Sequence, residues 1–96
     1  MASRRRRLEW TARAQSALND ALTYVARESP AAAEHLLIRI LDAAETLTTL
    51  TERGRVVPEL DESTIREIVV PPYRLIYGYD EAVDRILAVV HEARDL

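Results

Sequence analysis

The sequence contains no cysteine and no lysine, and each absence restricts what the protein can do. Without cysteine there is no disulfide framework, no thiol nucleophile and no cysteine-containing zinc site. All 13 basic residues are Arg, and 16 acidic residues bring the net charge to −3, which gives no nucleic-acid signature. Long apolar runs are also missing. Neither a secretory signal nor a membrane span of about 20 residues is predicted, and the expected location is the cytoplasm.

A chain of 96 residues has room for one hydrophobic core. We expect a basic segment over residues 1–7 that enters the first strand, followed by a single domain over residues 8–96. Hydrophobic residues make up 48% of the chain, but fourteen of them are Ala, so the core is expected to be thin. A thin core predicts apolar surface at a sheet edge or a helix–sheet groove, where a partner chain would add stability.

Two amphipathic helices are predicted in the first half of the chain. Thr11 is a good N-cap for a helix that runs to about Glu28, and Ser29-Pro30 supplies the N-cap and first residue of a second helix. Apolar residues recur at helical spacing in both segments, at Ala14, Leu18, Ala21, Leu22 and Val25, then at Ala33, Leu36, Leu37, Ile40, Leu41, Ala44 and Leu47. The short link predicts an antiparallel hairpin, and Gly54 is expected to take a positive φ where the second helix ends.

The rest of the chain reads as strands. Alternation over residues 4–10 predicts a short edge strand, residues 55–60 read as a loop, and three β-rich runs follow at 65–70, 73–79 and 85–91. Short breaks between these runs predict a β-meander. The expected fold is therefore α+β, a two-layer β-α-α-β-β-β arrangement in which the helix hairpin packs on an antiparallel sheet.

Several short motifs occur in a specific order along this framework: Gly54-Arg55 with Pro58-Glu59-Leu60, Ile65-Arg66-Glu67, Tyr73-Arg74-Leu75-Ile76-Tyr77, and the closing residues 89–96. In this order and spacing, over residues 8–96, the chain resembles the RelE/ParE superfamily of toxins from bacterial type II toxin–antitoxin (plasmid-stabilisation) systems. The resemblance implies a microbial-RNase-like fold and a cytoplasmic toxin that is neutralised by a cognate antitoxin in a heteromeric complex.

The superfamily divides by mechanism. RelE-like members are ribosome-dependent, metal-independent endoribonucleases, and for that branch the candidate catalytic residues are Arg66, Arg74, His91 and Arg94. Arg74 occupies the position of a phosphate-binding Arg, but Glu67 would repel a phosphate and the chain lacks the C-terminal Tyr and the Lys of such nucleases. These departures favour the ParE-like branch, whose members are described as inhibitors of DNA gyrase. A nuclease acting on ribosome-bound mRNA and an inactive toxin homologue remain the alternatives.

The remaining polar residues are candidates for partner binding. A basic first strand would suit an acidic antitoxin tail, and Arg55 is expected to pair with a nearby acid. The candidate partner-binding residues are Arg4, Arg5, Arg6, Arg7, Arg55, Tyr73 and Tyr77. No cofactor is expected, and no metal site, because two separated His residues make poor ligands. On residue type alone, Arg74 reads as a salt-bridged or solvated strand residue.

Overall fold

The computed structural model describes residues 6–94 and contains two helices and five strands within that range. The elements, in chain order, are β1 (Arg7–Trp10), α1 (Ala12–Ala26), α2 (Pro30–Thr46), β2 (Arg55–Val56), β3 (Ile65–Val70), β4 (Tyr73–Tyr79) and β5 (Val83–His91). The predicted two-layer α+β fold, with a helix hairpin on a sheet, is confirmed. No helix in residues 6–94 is long and apolar enough to cross a membrane.

Both helices begin at the predicted caps. The Thr11 hydroxyl accepts a hydrogen bond from the Ala14 amide, and the Ser29 hydroxyl accepts one from the Ala32 amide. Each bond satisfies one of the free amides of a first helical turn. The helices therefore start where the sequence predicts, and α1 ends two residues earlier than expected, at Ala26.

The five strands form one sheet in the order β1-β5-β4-β3-β2. The strands from β2 to β5 are antiparallel, as hairpin connections require, but β1 lies parallel to β5. The predicted all-antiparallel sheet is thus corrected to a mixed one. The reason is that the two helices, and not a hairpin turn, connect β1 to the rest of the sheet, and such a crossover permits a parallel neighbour.

The segment after the helices differs from prediction in two ways. Arg55–Val56, predicted as part of a loop, forms a short strand paired with Glu67 and Arg66 of β3. Gly54 does not have a positive φ; instead, a Cβ on Gly54 would lie 2.5 Å from the Glu67 carbonyl oxygen and 2.8 Å from the Tyr77 ring. Glycine is needed here because the backbone passes so close to the sheet.

The core lies between the helices and one face of the sheet. Its helix side is built from the predicted stripes, including Ala14, Leu18, Leu36, Ile40 and Ala44. Its sheet side comes from alternate residues of β3 and β4 and from two residues of β5 on either side of a register shift: Ile68, Val70, Tyr73, Leu75, Tyr77, Ile86 and Val89. The other sheet face, called the outer face below, carries Glu67, Arg74 and Ile76 by the same alternation.

Candidate functional site

Arg74 lies at the centre of an ion-pair cluster on the outer face. Its guanidinium donates to both oxygens of Glu59, at 3.1 and 2.6 Å, and to Glu67 Oε1 at 2.7 Å. A fourth bond goes to the Arg94 backbone carbonyl at 2.8 Å. Arg74 is only 6% exposed, and the hydrogen bond from Glu59 is the main cause that raises the pKa of its guanidinium. The cation is therefore permanent and internally neutralised.

Glu67 joins Arg74 to Arg55. The Glu67 carboxylate is buried, and its second oxygen accepts from Arg55 Nε at 2.6 Å. The side chain of Arg55 is 67% exposed, so the cluster reaches the solvent through Arg55. The pairing expected for Arg55 is confirmed, and two cations alternate with two carboxylates. Such a cluster has no net charge with which to attract a phosphate.

Arg66 lies on the opposite face of the sheet from Arg74. On β3 it shares the helix-facing side with Ile68, and it donates to the Gly54 carbonyl at 2.9 Å and the Ser63 carbonyl at 3.0 Å. Its guanidinium also stands 6.0 Å from the centre of the Tyr79 ring. The structure therefore does not bring Arg66 and Arg74 together around one substrate.

His91 and Tyr73 form a separate pair. Their rings meet edge to face with centroids 5.4 Å apart, and His91 Nδ1 accepts a hydrogen bond from the Ala93 amide at 3.2 Å. Tyr73 is buried with the core, whereas His91 is exposed at the end of β5. Of the other three nuclease candidates, Arg94 is the one hydrogen-bonded to Arg74, and the bond goes to its backbone carbonyl.

Tyr77 is buried and its hydroxyl is fully occupied. It donates to the Thr51 carbonyl at 2.7 Å and accepts from the Gly54 amide at 2.9 Å. Burial is the main cause that raises the pKa of its phenol. This side chain closes the loop after α2 over the sheet and does not reach the surface.

The basic N-terminal segment is partly internal. Arg4 and Arg5 lie outside the described residues. Arg6 Nε donates to the buried Asp84 carboxylate at 2.9 Å, and the guanidinium also binds the carbonyls of Asp80, Glu81 and Val83. Arg7, by contrast, has a 69% exposed side chain that pairs with Glu9. Of the four arginines, Arg7 is thus the described one that presents its charge to solvent.

A groove of about 900 Å³ runs beside β5. Strand β1 pairs only with Val83–Ile86, so the backbone from Leu87 to His91 has no strand neighbour on that side within residues 6–94. We call this feature the β5 groove. Its lining includes Ala17, Ala21 and Tyr24 of α1, Leu87 to His91 of β5, and Leu60, Ala93 and Arg94 at the outer face. A cleft with an open strand edge as one wall can bind an extended or helical segment of another protein.

Sequence reasoning missed the carboxylates that hold these arginines. From the sequence, Glu67 is expected only to repel a phosphate, and nothing assigns a role to Glu59 or Asp84. The signal for Glu67 was the β3–β4 hairpin: the turn at Pro71-Pro72 sets Val69 opposite Arg74, so Glu67 falls diagonally beside Arg74 on the same face. Glu59 and Asp84 carried no comparable signal. Within residues 6–94, no group of three or more His, Asp or Glu side chains is placed to hold a metal ion.

The same two-layer α+β fold occurs among solved structures. A solved structure titled "Chromosomal ParDE TA system from P. aeruginosa" superposes with a TM-score of 0.73 at 20% sequence identity, covering 93% of this chain and 98% of that one. This likeness shows the shared fold.

Sequence comparison identifies the family. The sequence model described as "ParE toxin of type II toxin-antitoxin system, parDE" matches residues 8–96. The chain is also 37% identical over 86 residues to Toxin RelE2 of Caulobacter vibrioides, covering 88% of this chain and 93% of that protein. The chain belongs to the ParE/RelE family and is a toxin of a type II toxin–antitoxin system. The family implies a cognate antitoxin as partner.

Proposed function

We infer that this toxin acts by binding an essential bacterial enzyme, with DNA gyrase as the first candidate, and not by cutting RNA. The observation that carries this proposal is the state of Arg74. Cleavage of RNA by its own 2′-hydroxyl needs cations on the in-line phosphate and groups that move protons nearby. Here the candidate phosphate-binding cation is bound by two carboxylates, and Arg66 lies on the other face of the sheet.

The target of the proposal comes from the family resemblance. The departures from the nuclease pattern agree with the ParE-like branch, for which gyrase inhibition is described. The relative named Toxin RelE2 keeps the nuclease as the competing function. One pair of assays separates the two: supercoiling by purified gyrase, and cleavage of ribosome-bound mRNA, each with the full-length toxin at equal concentrations. Loss of supercoiling with intact mRNA is expected, and cut mRNA with normal supercoiling would refute the proposal.

We further propose that the antitoxin occupies the β5 groove. The groove combines an apolar floor on α1 and β5 with an open strand edge, and Tyr24 stands 67% exposed at its rim. An aromatic side chain left in water beside an unpaired strand edge is favourable to bury with a partner. An antitoxin segment there would complete the small core and stabilise the toxin by mass action.

The gene next to that of the toxin supplies the probe. We expect the adjoining reading frame to encode a short acidic protein with a DNA-binding N-terminal half, and its purified product is the binding partner to test. Tyr24→Ser should weaken binding about tenfold or more, because it removes a large contact from the groove. Ile38→Ser is the matched control, since Ile38 is also half-exposed but does not line the groove. Equal affinity of both variants and the parent toxin would exclude the groove as the antitoxin site.

A further inference from the structure

Arg74 connects three segments of the chain that are far apart in sequence. Its guanidinium binds Glu67 on β3, Glu59 in the loop between β2 and β3, and the Arg94 carbonyl beyond the end of β5. Burying so many charges carries a desolvation cost, so an ion pair of this kind is weak evidence for stability alone. What the arrangement does provide is a fixed position for two segments that are not part of a helix or strand.

Those two segments form one wall of the β5 groove. Leu60 follows Glu59 directly and lines the groove, as do Ala93 and Arg94. Arg74 does not line the groove itself. The Glu59 carboxylate is held by both terminal nitrogens of Arg74, a fork geometry that fixes direction as well as distance.

We propose that Arg74 is a positioning residue for the β5 groove: through the Glu59 carboxylate and the Arg94 carbonyl it sets the outer wall against which a partner segment packs. The importance of this wall for the antitoxin rests on the proposed function above. In this role Arg74 affects the affinity for the antitoxin without lining the groove. Its guanidinium is neutralised by carboxylates of the toxin itself.

The first test uses the toxin alone and follows amide hydrogen exchange by NMR. The Leu60 amide donates to the Val57 carbonyl at 3.1 Å and the Arg94 amide to the His91 carbonyl at 2.9 Å, so both should exchange slowly in the parent protein. Arg74→Lys keeps the charge, but one ammonium cannot form the fork with Glu59 and also reach the Arg94 carbonyl. Exchange at both amides should rise about tenfold, with helix amides of α2 unchanged.

A second variant separates the two arms of the cluster. Glu59→Gln removes the negative charge that ties the β2–β3 loop to Arg74, and it leaves the bond from Arg74 to the Arg94 carbonyl in place. It should speed exchange at Leu60 while the Arg94 amide stays protected. Unchanged exchange at Leu60 and Arg94 in Arg74→Lys, or an equal rise across the whole protein, would overturn the proposal, because either result removes the specific link to the wall.

The second test measures how fast the protein encoded by the adjoining reading frame dissociates from the full-length toxin. Arg74→Lys should dissociate about tenfold faster, since the wall is no longer held. The control is Arg39→Lys: Arg39 also donates to a backbone carbonyl, that of Pro71 at 3.0 Å, but lies away from the groove. Unchanged dissociation of Arg74→Lys, in a toxin where Tyr24→Ser does weaken binding, would refute the positioning role. If Tyr24→Ser has no effect, the proposed antitoxin site fails, and the exchange test still decides whether Arg74 holds the wall.

Discussion

Replacing Arg6 by methionine is expected to destabilise the toxin strongly, although Arg6 stands at the edge of the described structure. The Asp84 carboxylate is 0% exposed, and Arg6 Nε is its ionic partner at 2.9 Å. The Thr51 hydroxyl lies 3.4 Å away, but its one hydrogen is shared with the Leu47 carbonyl at 3.2 Å. Asp84 Oδ1 already has no hydrogen-bond partner among the described residues. Arg6→Met keeps the aliphatic stem but leaves a buried carboxylate with one weak donor.

The size of the effect follows from this geometry. Removing one partner of a buried ion pair costs about 3–5 kcal/mol, and the 20% exposure of the Arg6 side chain places the estimate at the lower end, about 3 kcal/mol. For a domain of this size, that loss corresponds to a drop in melting temperature of about 12–24 °C. It is a large share of the roughly 5–15 kcal/mol by which such domains are stable.

Urea unfolding followed by circular dichroism measures this difference directly. Arg7→Met is the matched control, because Arg7 is the next residue, mostly exposed, and its pair with Glu9 should contribute less than about 1 kcal/mol. The double variant Arg6→Met/Asp84→Asn should recover part of the loss, since no uncompensated charge is left buried. Equal unfolding free energies for Arg6→Met and Arg7→Met would refute the assignment of Arg6 as an internal residue.

Three further predictions concern the loop after α2 and the turn before β5. Gly54→Ala should lower the free energy of unfolding, measured in urea, by more than about 2 kcal/mol, because the new Cβ would meet the Glu67 carbonyl oxygen at 2.5 Å. A loss below about 0.5 kcal/mol, which is typical of an ordinary surface substitution, would contradict this. Tyr77→Phe should cost about 1–3 kcal/mol by leaving the Thr51 carbonyl without its donor. Because burial raises the pKa of Tyr77 in the folded state, its contribution is complete below about pH 10 and falls as the pH rises further. The unfolding free energy should therefore fall less above about pH 10 in Tyr77→Phe than in the parent toxin, and an equal fall in both would contradict this. Two backbone amides lower the pKa of Asp80; its contribution is therefore present at neutral pH and lost as the pH falls through that lowered value, and Asp80→Ala should flatten the acid limb of the stability curve.

The sequence predicted the secondary structure well where local rules decide it. The Thr11 and Ser29 caps set the helix starts, and the short breaks at Pro71-Pro72 and Asp80-Glu81 set the β-meander. It failed at β1 and Gly54, where the outcome depends on packing. Parallel pairing of β1 depends on how the helix pair crosses the sheet, and the need for glycine at 54 comes from the neighbouring strand and not from its own φ.

The candidate site was predicted as a set of residue types without their arrangement. In the sequence, Arg66 and Arg74 are both arginines within predicted strands and are not distinguished from each other. The pleat of the sheet places their side chains on opposite faces. The sequence predicted apolar surface at a sheet edge or a helix–sheet groove, but not its position. The β5 groove lies where β1 stops short of the end of β5, and that depends on the tertiary pairing of the two strands.

The sequence by itself established a small chain without cysteine chemistry and predicted an α+β fold, and its motif order resembles the ParE/RelE toxin family, to which the family model assigns residues 8–96. These properties are local or additive along the chain. Only the tertiary structure decided which charges are available to a partner. The same arginine side chain can bind a phosphate or be neutralised by two carboxylates, and the choice depends on distances between segments far apart in sequence: Glu59 and Glu67 reach Arg74, and Asp84 reaches Arg6.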